Sequence, residues 1–203
     1  MPTLAGVDRD EIIRLSREYG GEWIVGHAGR LLKLIAAIGD GLEYNRDAIW
    51  LAAWLHDWGA CPKWALEGVS HSRRSRELAA AYLKKTPCPR EWIPLVLEAV
   101  EFHHGGYGDR SIEAVLLGDA DALDSLGVLG VLKEFTMIPA EMAGDYCLPA
   151  DFGMREAFER VRIRRENLPR MLKLEKSRAL AAERLADMDR IFALIERDSF
   201  GLL

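Results

Sequence analysis

"WLAAWLHDWGA", residues 50–60, decides how the rest of the chain is read. Its first six residues are apolar, with Trp50 and Trp54 at the four-residue spacing of a buried helix face. His56 and Asp57 then stand side by side, and Gly59 closes the pattern. Burying two titratable groups is costly unless they find partners. Neighbours on a helix point about 100° apart, so both can reach one partner only near a helix end. The pair therefore asks for its counterparts elsewhere in the sequence.

Working outward, every strongly patterned segment is helical. "DRDEIIRLSREYG" (8–20) opens at an Asp and closes at a Gly. "EWIVGHAGRLLKLIAAIGDG" (22–41) carries apolar residues at three- and four-residue spacing and ends in Gly. "NRDAIWLAAWLHDWG" (45–59) has Asn45 as its N-cap. "SHSRRSRELAAAYLKK" (70–85) and "EWIPLVLEAVEFHH" (91–104) flank a "TPCPR" turn, and a "GGYG" turn follows the second. "SIEAVLLGDADALDSLGVLGVLKEF" (111–135) reads as one helix, or as two with a break near Gly127. "TMIPAEMAGDYCLPADFG" (136–153) is the longest irregular connection expected. An arginine-rich helix should run from about 152 to Pro169, and a last one from about 177 to 198. No segment alternates as a strand does, so the expected fold is an all-α bundle with a C-terminal helical extension.

Composition narrows the class. The chain has 203 residues, 49% hydrophobic and 29% charged, as in a folded globular protein. A net charge of -5 argues against a dedicated nucleic-acid binder. Cys61, Cys88 and Cys147 form no CxxC pair, so neither a disulfide framework nor a thiolate metal site is expected. The first residues lack a basic-then-apolar leader pattern, and no apolar run is long enough to span a bilayer. The expectation is a cytoplasmic protein that binds neither nucleic acid nor membrane, with a homodimer left open.

Few polar residues interrupt the apolar helix faces: His27, His56, Asp57, His71, His103, His104, Asp119, Asp121 and Asp124, which include all five histidines. Taken singly, each has an ordinary structural reading, as a hydrogen-bonded core histidine, a cap, or a histidine solvated at a helix C-terminus. Taken together they are imidazoles and carboxylates, the ligand types that Mg, Mn, Fe and Zn ions prefer. A bundle can converge such groups by contributing one from each of several helices.

The segment 27–60, "HAGRLLKLIAAIGDGLEYNRDAIWLAAWLHDWGA", resembles the opening of the HD-domain phosphohydrolases: a His followed by Arg, then an apolar helix ending in His-Asp and Gly. "AVEFHHGG" and "LLGDADALDSLGVLGVLKEF" extend the resemblance to the family's closing Asp helix. The C-terminal helices are similar to those of small bacterial HD hydrolases acting on nucleotides. The resemblance implies one divalent ion (Mn, Mg, Co, Ni, Fe or Zn) on His27, His56, Asp57 and a last Asp. Family closing motifs favour Asp121 for that role, with Asp119 behind it fixing a ligand histidine or a water. It also implies segments 1–22 (an N-terminal helix on the core), 23–135 (the metal-binding core) and 136–203 (connection and C-terminal helices) within one domain.

The implied chemistry is hydrolysis of a phosphoester or phosphoanhydride of a small substrate, a nucleotide first, by a metal-activated water. Asp57 or Asp121 would also accept a proton, and His71 would act on the leaving group. Lys63 and Arg74 are the candidate phosphate contacts. His71, His103 and His104 would hold a second ion or contact phosphate. The alternatives are a di-metal enzyme, either phosphodiesterase or di-iron oxygenase, and a non-catalytic helical ligand-binding regulator. Departures are informative. Ala122 stands where close relatives often have Arg. "WGACP" lacks the acidic pair of alarmone hydrolases, the Glu of small HD nucleotidases and the "GK" of cyclic-nucleotide branches.

Overall fold

The computed structural model describes residues 6–105, 108–141 and 150–201, all of them in helices, turns or connections with no β-strand. The contacts divide the chain into two compact units, Met1–Asp121 and Ala122–Leu203. These do not coincide with the segments expected from the sequence, 1–22, 23–135 and 136–203.

The first unit begins with α1, Arg9–Ile38. Asp8 caps it, its carboxylate accepting from the amides of Asp10 and Glu11. The two helices read on either side of the Gly20–Gly21 pair are joined end to end in α1 with a kink at Gly21, whose φ of 75° and ψ of -169° suit glycine alone. Beyond the kink, Ile24, Ala28, Leu31, Ile35 and Ile38 form the buried stripe, and His27 lies on it. Helix α2, Arg46–Leu55, is capped by Asn45, whose side chain accepts from Asp47 and Ala48. It is followed by a 3-10 turn at Trp58–Ala60. Helices α3 (His71–Leu83), α4 (Trp92–Phe102) and α5 (Ile112–Asp124) complete the unit. α2 packs on α1 and α4, and α3 packs on α4 and on the 3-10 turn. Glu113 fixes the start of α5 to the start of α2 by accepting the Asn45 amide at 2.7 Å.

The 3-10 turn is held from both sides. The Trp58 indole N–H donates to Ser16 Oγ of α1 at 2.8 Å. The Gly59 amide donates to Ser75 Oγ of α3 at 2.8 Å. Glycine is required at 59 by proximity: a Cβ there would sit 2.3 Å from the His71 carbonyl oxygen and 2.6 Å from the Ser75 nitrogen.

The second unit contains the end of α5 and helices α6 (Gly127–Glu141), α7 (Ala150–Met171) and α8 (Glu175–Asp198), which pack on one another. The break between α5 and α6 falls at Gly127, with a φ of 78°. Phe158 and Phe192 meet edge to face in its core. Buried Asp124 pairs with Lys133, and buried Glu134 with Arg164.

Three boundaries differ from expectation. The connection expected over 136–153 is shorter, because α6 continues to Glu141 and α7 starts at Ala150; residues 142–149, with Cys147, lie outside the described residues, as do Gly106 and Tyr107 of the "GGYG" turn. α7 runs two residues past Pro169, where proline removes only one late helix bond. α8 begins at Glu175. Cys61 and Cys88 are free thiols. No described helix is long and apolar enough to cross a membrane.

Gly59→Ala should destabilise the protein by about 1–3 kcal/mol, the cost of forcing a methylene into a filled site, because the obstructing atoms are backbone. Urea unfolding of the two proteins measures the difference; equal midpoints would contradict the close approach of the turn to α3.

Candidate metal centre

The site follows from where helices end. His56 is the residue after α2, and Asp57 leaves the helix with φ -107° and ψ 12°. That change of backbone direction lets adjacent side chains aim at one point. His56 Nδ1–H donates to the Ala53 carbonyl at 3.0 Å, and His103 Nδ1–H, just past α4, donates to the Val100 carbonyl at 2.7 Å. Both bonds use carbonyls that a helix end leaves unpaired. Each fixes a tautomer whose Nε2 lone pair faces inward.

Around His27 Nε2 stand three acceptors: His56 Nε2 at 3.2 Å, Asp121 Oδ1 at 3.2 Å and Asp57 Oδ2 at 3.6 Å. Asp57 Oδ2 is also 3.3 Å from His56 Nε2. The other oxygen of Asp57 faces a second group, lying 3.8 Å from His71 Nε2 and 3.9 Å from His103 Nε2. His71 and His104 meet at 2.7 Å through their Nε2 atoms, and His104 Nδ1 is 3.7 Å from Asp121 Oδ2. Two trios result, His27–His56–Asp57 and His71–His103–His104, each with ligand atoms within 4.8 Å of one another. Both carboxylates face both trios.

Burial is graded across the site. His27, His56, His103 and Asp121 are buried, His71 is partly exposed, and His104 is exposed. Burial pushes the Asp57 carboxyl up, but the His56 imidazole beside it outweighs that effect and holds the group below the usual carboxylate range. Asp121 is likewise held low, its burial outweighed by the hydrogen bond and charge of His27. Burial, reinforced by His56, pushes His103 down to about 3. His104, at the rim, is lowered by partial desolvation among its neighbours, against the opposing pull of Asp121.

The residues present fit a divalent cation. His103 Nε2 is buried and has no hydrogen-bond partner, a neutral lone pair withdrawn from water and aimed at Asp57. Leaving such an acceptor unmet costs free energy, and a cation is what a set of imidazole lone pairs and ionised carboxylates accepts.

All seven histidines and aspartates named as ligand or second-ion candidates, His27, His56, Asp57, His71, His103, His104 and Asp121, are brought together. Asp119 is buried two residues before Asp121 on α5, about 200° away around the helix at 100° per residue; Asp121 is the one that reaches His27. The candidate phosphate contacts are placed elsewhere. Arg74 Nε donates to the Trp64 carbonyl at 2.8 Å and its Nη1 pairs with Glu77 at 3.2 Å. Lys63 sits over the Tyr19 ring at 3.9 Å. Both basic groups tie down the loop after the 3-10 turn.

Sequence reasoning missed the residues that hold the ligands in place. Gly59 and Ser75 bring the start of α3, and so His71, against the turn. Gly118 lets α5 approach the end of α4, since a Cβ there would lie 2.9 Å from the His103 carbonyl oxygen. The one signal for Gly118 is that it interrupts an apolar helix face just before "DAD".

Known proteins share the family pattern and the fold of this chain. The HD domain model matches residues 24–126, half of the chain and all of the ligand positions. The fold is similar to that of a predicted HD superfamily hydrolase from an uncultured Thermotogales bacterium, with a TM-score of 0.65 and 19% identity over 94% of this chain and 92% of that one. It is similar to an HD-superfamily hydrolase from Bacillus thuringiensis, with a TM-score of 0.64 and 21% identity over 93% and 95%. It is also similar to Bacillus subtilis YpgQ in complex with ADP, with a TM-score of 0.63 and 20% identity over 93% of each chain.

His103 makes the metal-free protein acid-sensitive. Its ordinary value is 6.5 and its folded value is about 3, so the unfolded chain binds the extra proton first. Its contribution is complete above about pH 6.5 and is lost progressively as the pH falls toward about 3. In chelator-treated protein, the loss of stability between about pH 7 and about pH 5 should be smaller for His103→Gln than for wild type. Urea midpoints at the two pH values measure it; equal losses would show that His103 is not buried neutral.

Proposed function

The chain belongs to the HD-domain family, and from that we propose that it is a metal-dependent phosphohydrolase, cleaving a phosphoester or phosphoanhydride of a small substrate, a nucleotide first among the candidates. One observation carries the reading: Asp57 turns one oxygen to His27 and His56, its partners in the first trio, and the other to His71 and His103 of the second. His27, His56, Asp57 and Asp121 would hold one divalent ion, and His71, His103 and His104 a second beside Asp57. Bound divalent ions supply a Lewis acid for a phosphoryl oxygen and a water that ionises near neutral pH.

The chain's own residues divide the remaining work. A carboxylate held below its usual range is a weak proton acceptor and a strong cation ligand, so Asp57 and Asp121 serve as anionic ligands at neutral pH rather than as bases. Buried His56 and His103 keep their Nδ1 protons on backbone carbonyls and present fixed lone pairs. His71 and His104 form the exposed rim. They are the groups placed to meet a substrate arriving from solvent, and His71 is the one that could pass a proton to a leaving group. Arg74 and Lys63 are engaged elsewhere, so phosphate charge would be met at the rim histidines and the ions.

The paired trios also favour a second reading, a di-iron oxygenase. Iron content and oxygen consumption with a small-molecule substrate would identify it, and phosphate release would not accompany them.

Purified protein screened with Mn²⁺, Mg²⁺, Co²⁺ and Ni²⁺ should release phosphate from at least one nucleoside phosphate, cyclic nucleotide or simple phosphate ester. Asp57→Ala should lower that rate by about 10³-fold, since it removes a ligand of the first trio whose other oxygen faces the second. A variant within about tenfold of wild type would overturn the assignment. His71→Ala should halve the bound metal if His71 is a ligand. If it contacts phosphate instead, metal content stays the same while turnover falls.

A further inference from the structure

Trp23 lies on α1 one turn before His27, with 50% of its surface exposed. Its indole runs alongside the His27 imidazole, the ring centroids 6.3 Å apart and the planes within 28°. The same imidazole presents Nε2 to Asp57 and Asp121. A half-exposed indole is therefore the direct ring neighbour of one member of the His27–His56–Asp57 trio.

Other tryptophans of this unit are used differently. Trp50 and Trp54 pack on each other, and Trp58 and Trp64 form a cluster with Tyr19 and Tyr82. A single exposed apolar side chain needs no explanation in general. Trp23 differs because its ring neighbour is a candidate metal ligand. The distances also suit one class of ligand. A helical turn is about 5.4 Å long, comparable to the ribose that separates a nucleobase from its 5′-phosphorus. A phosphate held at His27, His56 and Asp57 would leave its base within reach of the indole.

We infer that Trp23 is a stacking platform for the base of a nucleotide whose phosphate is held at the His27–His56–Asp57 trio. The inference rests on the phosphohydrolase reading and narrows its substrate class to phosphates carrying a flat aromatic ring. Stacking on an indole accepts any base, so the platform separates nucleotides from base-less phosphates without choosing strongly among bases.

The test is binding to the full chain loaded with Mn²⁺, followed by calorimetry with AMP and with ribose 5-phosphate. Wild type should bind AMP more tightly by a factor of about 5–140, the range that base–aromatic stacking gives. Trp23→Leu should erase that difference while leaving ribose 5-phosphate affinity and Mn²⁺ affinity unchanged. Trp23→Phe should retain part of it. Equal binding of the two ligands by wild type would overturn the inference and leave the phosphohydrolase reading standing. So would a Trp23→Leu variant that loses both ligands equally or loses Mn²⁺, because Trp23 would then be a packing support for His27. Failure of both ligands to bind wild type would overturn the inference, since no 5′-phosphate would then be held at the trio; the phosphohydrolase reading is judged separately, by phosphate release across the substrate screen.

Discussion

The geometry of the first unit depends on one turn, residues 56–60, and on the two side-chain hydroxyls that hold it. Ser16 of α1 and Ser75 of α3 accept N–H groups from consecutive residues, Trp58 and Gly59. Between those anchors and the end of α2, Asp57 has little freedom. The turn is also packed, with the Trp58 ring against Trp64 and Tyr82. Hydrophobic burial of these rings offsets the desolvation of the polar groups beside them. A flexible chain could not keep a carboxylate between two sets of imidazoles, because the ordering cost would fall on binding instead.

The same economy of means appears in the histidines. Helix C-termini leave carbonyls without partners, and His56 and His103 each satisfy one from three residues away. The bond removes an orphan acceptor and sets the tautomer in one step. It also turns Nε2 toward the centre of the unit, where Asp57 and Asp121 supply negative charge. Neutral imidazoles and ionised carboxylates at this spacing are unfavourable to bury alone and favourable around a cation. The buried imidazoles of the first unit, with Asp121, are thus gathered in one place.

Lys63 and Arg74 serve the scaffold. Arg74 holds the Trp64 carbonyl and Lys63 covers Tyr19, which fastens the loop linking the turn to α3. That loop delivers His71 to the rim. The second unit has its own buried ion pairs, Asp124 with Lys133 and Glu134 with Arg164, set among the buried apolar side chains of Leu126, Val131, Phe158, Val161 and Met188.

Helix positions, caps and candidate ligands were legible in the sequence because they are local. Asn45 and Asp8 cap through bonds two and three residues away, and the apolar spacing of 24–38 and 46–55 marks buried faces. The His-Asp pair at a helix end announced a polar site for the same reason: 100° of separation is a property of any helix. Other features were decided only by tertiary structure. Asp121 rather than Asp119 faces His27 because α5 packs with that face inward. Arg74 and Lys63 are drawn away from the centre by a carbonyl and a ring that no spacing rule places near them. Gly59 and Gly118 matter because backbone from another helix passes within 3 Å of where a Cβ would be. A sequence records which side chain is absent at a glycine, while the neighbour that forbids one is supplied by a distant part of the chain.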